Sequence, residues 1–505
     1  MNIAGILKKE NVVENHEGAK AFRMTPEQEL YTAVVTSALE PLTYEGTTER
    51  VNRITSLIGK VSPEFVAKLA VYARREMNLR SIPLVLLVEL AKVHSGDNLV
   101  PKAVEGTVLR ADEIAELLMC YQWLNPTPGI KKLGKLSRGI QNGLKKSFNR
   151  FDEYQFAKYD RDGAVRLRDA LFLVHPKAKD EVQQALFDKI VAGTLETPYT
   201  WETELSALGQ LKFDSPEAKK AAIRAKWEEL IESRKMGYMA TLRNLRNILE
   251  AGVSAVHIDK VCAYLSDPEH VRRSKQFPFR YLSAYREILR NGSDQTSSVL
   301  TALEKAVEAS AENITGFDRE TSVLIASDVS GSMRHPVSRN STVENYDIGL
   351  VLSMILQSRC KSVVSGVFGD TWKVVNLPRT GILANTMKLR EIGNSVGFST
   401  NGYLVIDYLI EKKIKMDKVM MFTDCQMWNS LWGEEHIHKS WGKYRKMFPE
   451  AKLYLFDLSG YGQSPLRLED GGVYLIAGWS DRVFEIMEAV ERGSDAIAEI
   501  NGIEL

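Results

Sequence analysis

The chain has 505 residues, 44% hydrophobic and 26% charged, which supplies a large core and excludes a disordered polyelectrolyte. Lys and Arg number 66 against 65 Asp and Glu, so a bulk polycation is excluded and any nucleic-acid face must come from local charge. Four cysteines (Cys120, Cys262, Cys360 and Cys425) are too few and too dispersed for a disulfide framework or a zinc knuckle. The opening MNIAGILKKENVVENH turns charged before a signal-peptide core can form. No apolar run approaches the roughly 18 residues that a membrane helix needs, so a cytoplasmic protein is expected.

From the start to about residue 315 the pattern predicts helix after helix. Phe65–Met77, Val182–Ala192, Lys219–Arg234 and Val299–Ala311 place apolar residues three and four apart. Breakers such as Pro63, Pro83, Gly96, Pro101, Pro126, Pro176, Pro216, Pro268 and Pro278 separate them at short intervals. No sustained β alternation is present, and short helices on short loops predict stacked helical pairs. Charge is unevenly spread over this half. Lys131–Arg150 (KKLGKLSRGIQNGLKKSFNR) holds seven basic residues and no acidic one, and Lys158–Lys179 holds six against three. Val271–Arg290 (VRRSKQFPFRYLSAYREILR) holds six against Glu287, with Phe277, Phe279, Tyr281 and Tyr285 interleaved. Basic side chains release counterions from a phosphate backbone, and aromatics stack on unpaired bases. A solvated helix face carries such a run too, and three runs in one half leave the two readings about evenly balanced.

From about Gly316 the rhythm changes. Ser322–Ser327, Val363–Phe368, Lys418–Phe422, Lys452–Phe456 and Val473–Ile476 are short apolar strands. They alternate with the helices Tyr346–Arg359, Gly402–Lys413 and Arg482–Arg492. That alternation predicts a doubly wound parallel sheet, hence domains 1–315 and 316–505, with ligands at the carboxyl ends of the strands.

At the end of the first of these strands stands Asp328-Val329-Ser330-Gly331-Ser332. One carboxylate and two hydroxyls, two residues apart, are hard oxygen donors carrying little charge. They suit a Mg²⁺ ion that keeps waters or an external carboxylate. A Ser-rich turn capping the next helix is the alternative. Gly393-Asn394-Ser395-Val396-Gly397 fits GxSxG, but a helical pattern precedes it where a nucleophile elbow needs a strand. His436 and His438 read as a surface pair, and the chain has no P-loop and no GxGxxG.

The DxSxS segment resembles the start of the metal-ion-dependent adhesion site (MIDAS) of von Willebrand A domains. The resemblance implies Thr400 (VGFSTNGYLVIDYL) and Asp424 (VMMFTDCQMW) as partners from a second and a third loop. The implied metal set is Asp328, Ser330, Ser332, Thr400 and Asp424, holding Mg²⁺. Where the family often has Gly-Gly before that Thr and Asp after it, this chain has Phe398-Ser399 and Asn401. The blocks KYDRDGAVRLRDALFLVHPKAKD, MGYMATLRNLRNI and LSRGIQNGLKKSFNRF resemble the TROVE module of the Ro autoantigen family, in which a von Willebrand A domain follows.

The resemblance implies an α plus α/β protein, a monomeric ring of HEAT-like helical repeats closed by a doubly wound, Rossmann-like A domain. It implies binding of Y RNA on an outer basic face and of single-stranded RNA 3′ ends in the central hole. It also implies a role in RNA quality control without catalysis and, in bacteria, an exoribonuclease partner. Block by block it carries RNA contact onto His175, Lys158, Arg161 and Arg168, and onto Arg138 and Lys145. Arg243 is a further RNA candidate, and Arg272, Arg273 and Lys275 are candidates for an inner strand path, with Phe279 or Tyr281 stacking on bases. A metal-dependent protein adaptor with a helical scaffold is the alternative; a hydrolase is disfavoured because no base or nucleophile accompanies Asp328.

Overall fold

The computed structural model describes residues 12–36, 45–126, 135–160, 164–276, 278–311, 320–337, 341–360, 362–428, 436–468, 472–478 and 496–505. The expected helix Arg482–Arg492, the candidate Arg161 and the aromatic Phe277 lie outside the described residues. The chain forms two compact units: residues 25–41, 45–199 and 494–505 make one, and residues 1–24, 42–44 and 200–493 make the other.

The first unit is helical. Thr25 and Ser62 cap Pro26–Val35 and Pro63–Arg75 through their hydroxyls, each with a proline in the first turn. Ser81–Val93 (SIPLVLLVELAKV) is apolar nearly all round and is correspondingly buried. Leu99–Thr107 and Arg138–Phe148 meet backbone to backbone. A Cβ on Gly139 would lie 2.8 Å from the Val100 side chain, and one on Gly143 would run into Val104. The closing helix Ala496–Asn501 packs on Pro63–Arg75, where Lys68 Nζ donates to the Asn501 carbonyl at 2.7 Å. At one edge, Arg50 and Arg53 of Thr47–Ile58 each bond the Glu45 carboxylate at 2.7 Å.

The second unit is built on a six-stranded sheet, β3 (Ser322–Asp328), β4 (Ser362–Phe368), β5 (Trp372–Val374), β6 (Lys418–Thr423), β7 (Lys452–Asp457) and β9 (Val473–Ala477). The order is β5-β4-β3-β6-β7-β9, all parallel except the edge pair β4–β5. β3 and β6 are buried almost throughout, as their unbroken apolar runs require. The chain crosses from one side of β3 to the other between β4 and β6, so the carboxyl end of β3 is the switch point where such sheets bind ligands.

One feature departs from the sequence expectation, and one concerns how the chain is grouped. The first half does contain strands: β1 (Val12–Glu14) and β2 (Lys20–Arg23) form a hairpin whose second strand pairs with β8 (Gln463–Ser464). In the compact grouping, the helices from Trp201–Gly209 to Thr296–Ala311 fall in the same unit as the sheet. The physical reason is polar as well as apolar. Arg286 of Pro278–Leu289, only 7% exposed, forms a two-pronged ion pair with fully buried Asp347 of Asn345–Arg359 at 2.6 and 2.7 Å. Glu304 of Thr296–Ala311 accepts from the N–H groups of Leu383 and Ala384, capping Ile382–Gly393. No helix among the described residues is long and apolar enough to cross a membrane.

Candidate metal centre and basic helical face

Three loops at the carboxyl edge of the sheet carry the DxSxS motif, Thr400 and Asp424, and they hydrogen-bond one another in pairs. Gly331 N–H donates to the Phe398 carbonyl at 3.3 Å, joining the first loop to the second. Trp428 N–H donates to the Thr400 carbonyl at 2.8 Å, joining the third to the second. Thr423 Oγ1 donates to Asp328 Oδ2 at 2.7 Å, joining β6 to the end of β3. Asp328, Ser330, Ser332, Thr400 and Asp424 are all buried or nearly so. The five sequence candidates are thus brought to one place by strand ends and short loops.

The charges there are uncompensated. Among the described residues no Lys or Arg forms an ion pair with Asp328 or Asp424, though both carboxylates are fully buried. Burial, with the Asp424 charge next, raises the Asp328 carboxyl above the usual carboxylate range, against hydrogen bonds from Ser330 and Thr423. Burial likewise raises Asp424, opposed by the Ser332 hydroxyl and the Gln426 N–H. Asp328 has both oxygens engaged, by Ser330 N–H at 2.9 Å and by Thr423. Asp424 Oδ1 accepts from Gln426 N–H at 3.0 Å, while its Oδ2 is buried with no hydrogen-bond partner. Ser330 and Ser332 hydroxyls lie 3.2 Å apart. Two buried carboxylates, paired hydroxyls and one orphaned oxygen form an oxygen-only donor set that fits a hard divalent cation.

The second loop keeps its place by means the motif did not signal. Asp370, just after β4, accepts from Ser399 N–H at 2.8 Å, and its carbonyl accepts from Asn401 Nδ2 at 3.0 Å. Gly397 stands at φ +82° with the Asp370 carboxylate where a Cβ would be, so a side chain there would dislodge the loop. The substituted positions Phe398, Ser399 and Asn401 are therefore accommodated by Asp370. The N-terminal hairpin also reaches this centre: Asn15 Nδ2 donates to the Met427 carbonyl at 2.8 Å, and His16 N–H to Gln426 Oε1 at 2.9 Å.

Ser395 follows Ile382–Gly393 and donates to the Ile392 carbonyl; it occupies no strand-to-helix elbow. His436 caps the helix Ile437–Met447 and accepts from Lys439 N–H, and His438 lies in that helix. Among the described residues no group of three or more His, Cys, Asp or Glu is placed to hold a metal. The metal candidates depend on hydroxyls as well as carboxylates.

In the helical unit, Arg138 and Lys145 lie on Arg138–Phe148, the first exposed and the second half-buried. Gln141 Nε2 donates to the carbonyls of Leu173 and Val174, and Asn149 Nδ2 to that of Lys177. These bonds set the loop bearing His175, Lys177 and Lys179 beside the basic helix. His175 ends Leu167–Val174 in the left-handed region at φ 52°, its backbone N–H bonded to Leu171 and its ring exposed. Arg168 is exposed, and Lys158 lies 5.6 Å from the rings of Tyr154 and Tyr159.

In the other unit Arg243 is exposed on Tyr238–Glu250, and its charge adds to burial in lowering the pKa of Arg280. Arg272 and Arg273 both pair with Glu269 of their own helix, at 2.8 and 2.7 Å, and Lys275 ends that helix exposed at φ 49°. The stacking role expected of Phe279 or Tyr281 is overturned. Phe279, Tyr281 and Tyr285 are buried, and the Tyr281 hydroxyl lies 3.2 Å from that of Tyr238.

The TROVE domain family matches residues 7–200 and 182–320, and the Ro60 vWA domain family matches residues 322–490. Telomerase protein component 1 of Rattus norvegicus is 26% identical over 303 residues, 46% of this chain and 11% of that protein. The RNA-binding protein RO60 of Caenorhabditis elegans is 26% identical over 281 residues, 53% of this chain and 42% of that protein. The chain thus spans less than half the length of these relatives. The crystal structure of the Deinococcus radiodurans RO (RSR) protein superposes with a TM-score of 0.62 at 19% identity, covering 93% of this chain and 100% of that one. With its TROVE domain followed by a Ro60-type von Willebrand A domain, the chain belongs to the Ro family.

Proposed function

We propose that the chain binds noncoding RNA, Y RNA-like stem-loops and the single-stranded 3′ ends of misfolded or unprocessed RNAs. It would act in RNA quality control in the cytoplasm, without catalysis of its own, and hand RNA to an exoribonuclease. The carrying observation is the joint placement of Arg138 and Lys145 with the His175–Lys179 loop through Gln141 and Asn149. On this reading the exposed cations neutralise phosphates, and Lys177 and Lys179 add to the same field. The relative named an RNA-binding protein supports it. In the A domain, Asp328, Ser330, Ser332, Thr400 and Asp424 would hold Mg²⁺, which when bound supplies a positive centre for an acidic group.

The test is titration of a stem-loop RNA against salt. Changing Arg138, Lys145, Lys158 and His175 together to Ala should weaken binding and flatten the salt slope by about 2, at roughly 0.7–0.9 per lost phosphate contact. A duplex with a 3′ tail should bind better than the same duplex with a 5′ tail or none. An unchanged slope in the folded variant would remove RNA from this face. Equal binding of the three duplexes would remove the 3′-end reading.

A further inference from the structure

We propose that Phe172 is a stacking platform for a single unpaired base, so that the basic helical face takes RNA where a stem is interrupted, not along a continuous duplex. The inference rests on the reading of that face as an RNA site and names the feature of the RNA that is recognised.

The helix Leu167–Val174 turns Leu167, Ala170 and Val174 into the core. That spacing puts Arg168 and Phe172, one turn apart, on the side away from the core. His175 follows at the end of the helix with its ring exposed. Phe172 is 52% exposed and its neighbour Leu173 38%. The core side of the helix is complete without this ring, so folding gives no reason for it.

The charges around the ring are positive. Gln141 bonds the carbonyls of Leu173 and Val174, both at 3.3 Å, which brings the row Arg138, Gln141 and Lys145 alongside. Asn149 holds the next segment from both sides, donating to the Lys177 carbonyl and accepting from Lys179 N–H, each at 2.9 Å. Arg138, Arg168, Lys177 and Lys179 are exposed. Asp169, the acid of the helix, is drawn to the helix's own start, where it accepts from Arg166 N–H at 3.1 Å. A flat apolar ring among cations fits a partner that joins an anion to a flat uncharged face. A nucleotide is such a partner, with its phosphate for the cations and its base for Phe172.

A continuous A-form duplex keeps its base faces inside its own stack and presents phosphates and 2′-hydroxyls, so it offers nothing to the ring. A bulged or junction nucleotide does. Every base has a π-face, so stacking tolerates any sequence, and what is read is the absence of pairing. Phe172 thus supplies the stacking that the buried Phe279 and Tyr281 cannot.

The test compares two stem-loop RNAs, each with one 5-iodouridine, left unpaired within the stem of the first and opposite adenosine in the second. Wild type should bind the interrupted stem about tenfold more tightly, the scale of one base stacked on an aromatic side chain. Irradiation should crosslink the unpaired base to Phe172, located by peptide mass spectrometry. Phe172→Leu keeps apolar bulk but loses the ring face, and should bring the two RNAs to equal affinity; Phe172→Trp should keep the preference. Leu211→Ala, at a 60% exposed position in the other unit, should leave the preference as in wild type. Salt-dependent binding of both RNAs by wild type with equal affinity overturns the role of Phe172 and leaves the RNA face standing. A preference retained in Phe172→Leu also overturns it and leaves the exposed ring to a protein contact. Equal weakening of both RNAs in Phe172→Leu overturns it as well, making the ring a general apolar contact. Wild-type binding that is absent, or indifferent to salt, overturns the RNA face and this role with it.

Discussion

Asp347 sits where two arginines converge, and its removal should be costly out of proportion to its size. Arg286 grips both its oxygens at 2.6 and 2.7 Å, and Arg390 reaches them at 3.0 and 3.1 Å. It also accepts from Glu344 N–H at 2.9 Å, as the third residue of its helix. With Glu344 on Arg390, two cations meet two anions, so Asp347→Ala leaves one net positive charge behind. Arg286 is 7% exposed and cannot turn to water, whereas Arg390 is partly exposed and recovers hydration. Stranding one buried partner costs about 3–5 kcal/mol. At roughly 2–4 °C per kcal/mol that is a fall in Tm on the order of 10 °C for the A-domain unit, read by calorimetry. Arg286→Met should recover part of it in the double variant, with a coupling of about 1–3 kcal/mol in a double-mutant cycle. Additive single effects would show that the pair is incidental to the packing of Pro278–Leu289 on the A domain.

Two further outcomes are expected. In chelator, Asp328→Asn should be no less stable than wild type, since it relieves repulsion from Asp424; Mg²⁺ at a hundredfold excess over its dissociation constant should then add about 2.7 kcal/mol to wild type alone. A Mg²⁺-induced Tm rise of equal size in both would refute the site. At Glu45, burial raises the carboxyl, but Arg53 and Arg50 outweigh it and hold the group below its ordinary 4.5. Its stabilising share is thus complete above that value and lost as pH falls through the lowered one, so Glu45→Gln should flatten the acid side of protection in Thr47–Ile58. Identical acid profiles by hydrogen exchange would refute this.

What was legible in the sequence was what is local. Asp328, Ser330 and Ser332 follow an apolar strand within five residues and are legible by themselves, whereas Thr400 and Asp424 enter only through the resemblance to von Willebrand A domains. Asp370 could not, because a carboxylate in an ordinary loop gives no signal until Gly397 and Ser399 fold against it. The hairpin was missed because strands of three and four residues show no alternation and owe their form to β8. In PFRYLSAYREIL the basic residues drew attention to RNA, yet Phe279, Leu282 and Tyr285 already stood three apart, the spacing of a buried helix face. The partnership of Arg286 with Asp347 joins positions 61 residues apart, and no pattern in the chain selects it.

The hairpin also bears on how the molecule is made. Asn15 waits for a partner 412 residues downstream, and Lys68 for one 433 residues downstream. At roughly 5–20 residues per second, synthesis leaves the first of these contacts open for about 20–80 s. During that time Val12–Arg23 lacks the strand β8 that completes its sheet, and an unpaired strand edge is prone to pairing with other chains. One compact unit joins residues 1–24 to residues 200–493 and the other joins residues 25–199 to residues 494–505, so neither is complete until those later residues have been synthesised. Nascent chains stalled before residue 464 should therefore lean on chaperones, although most of their helices are already formed.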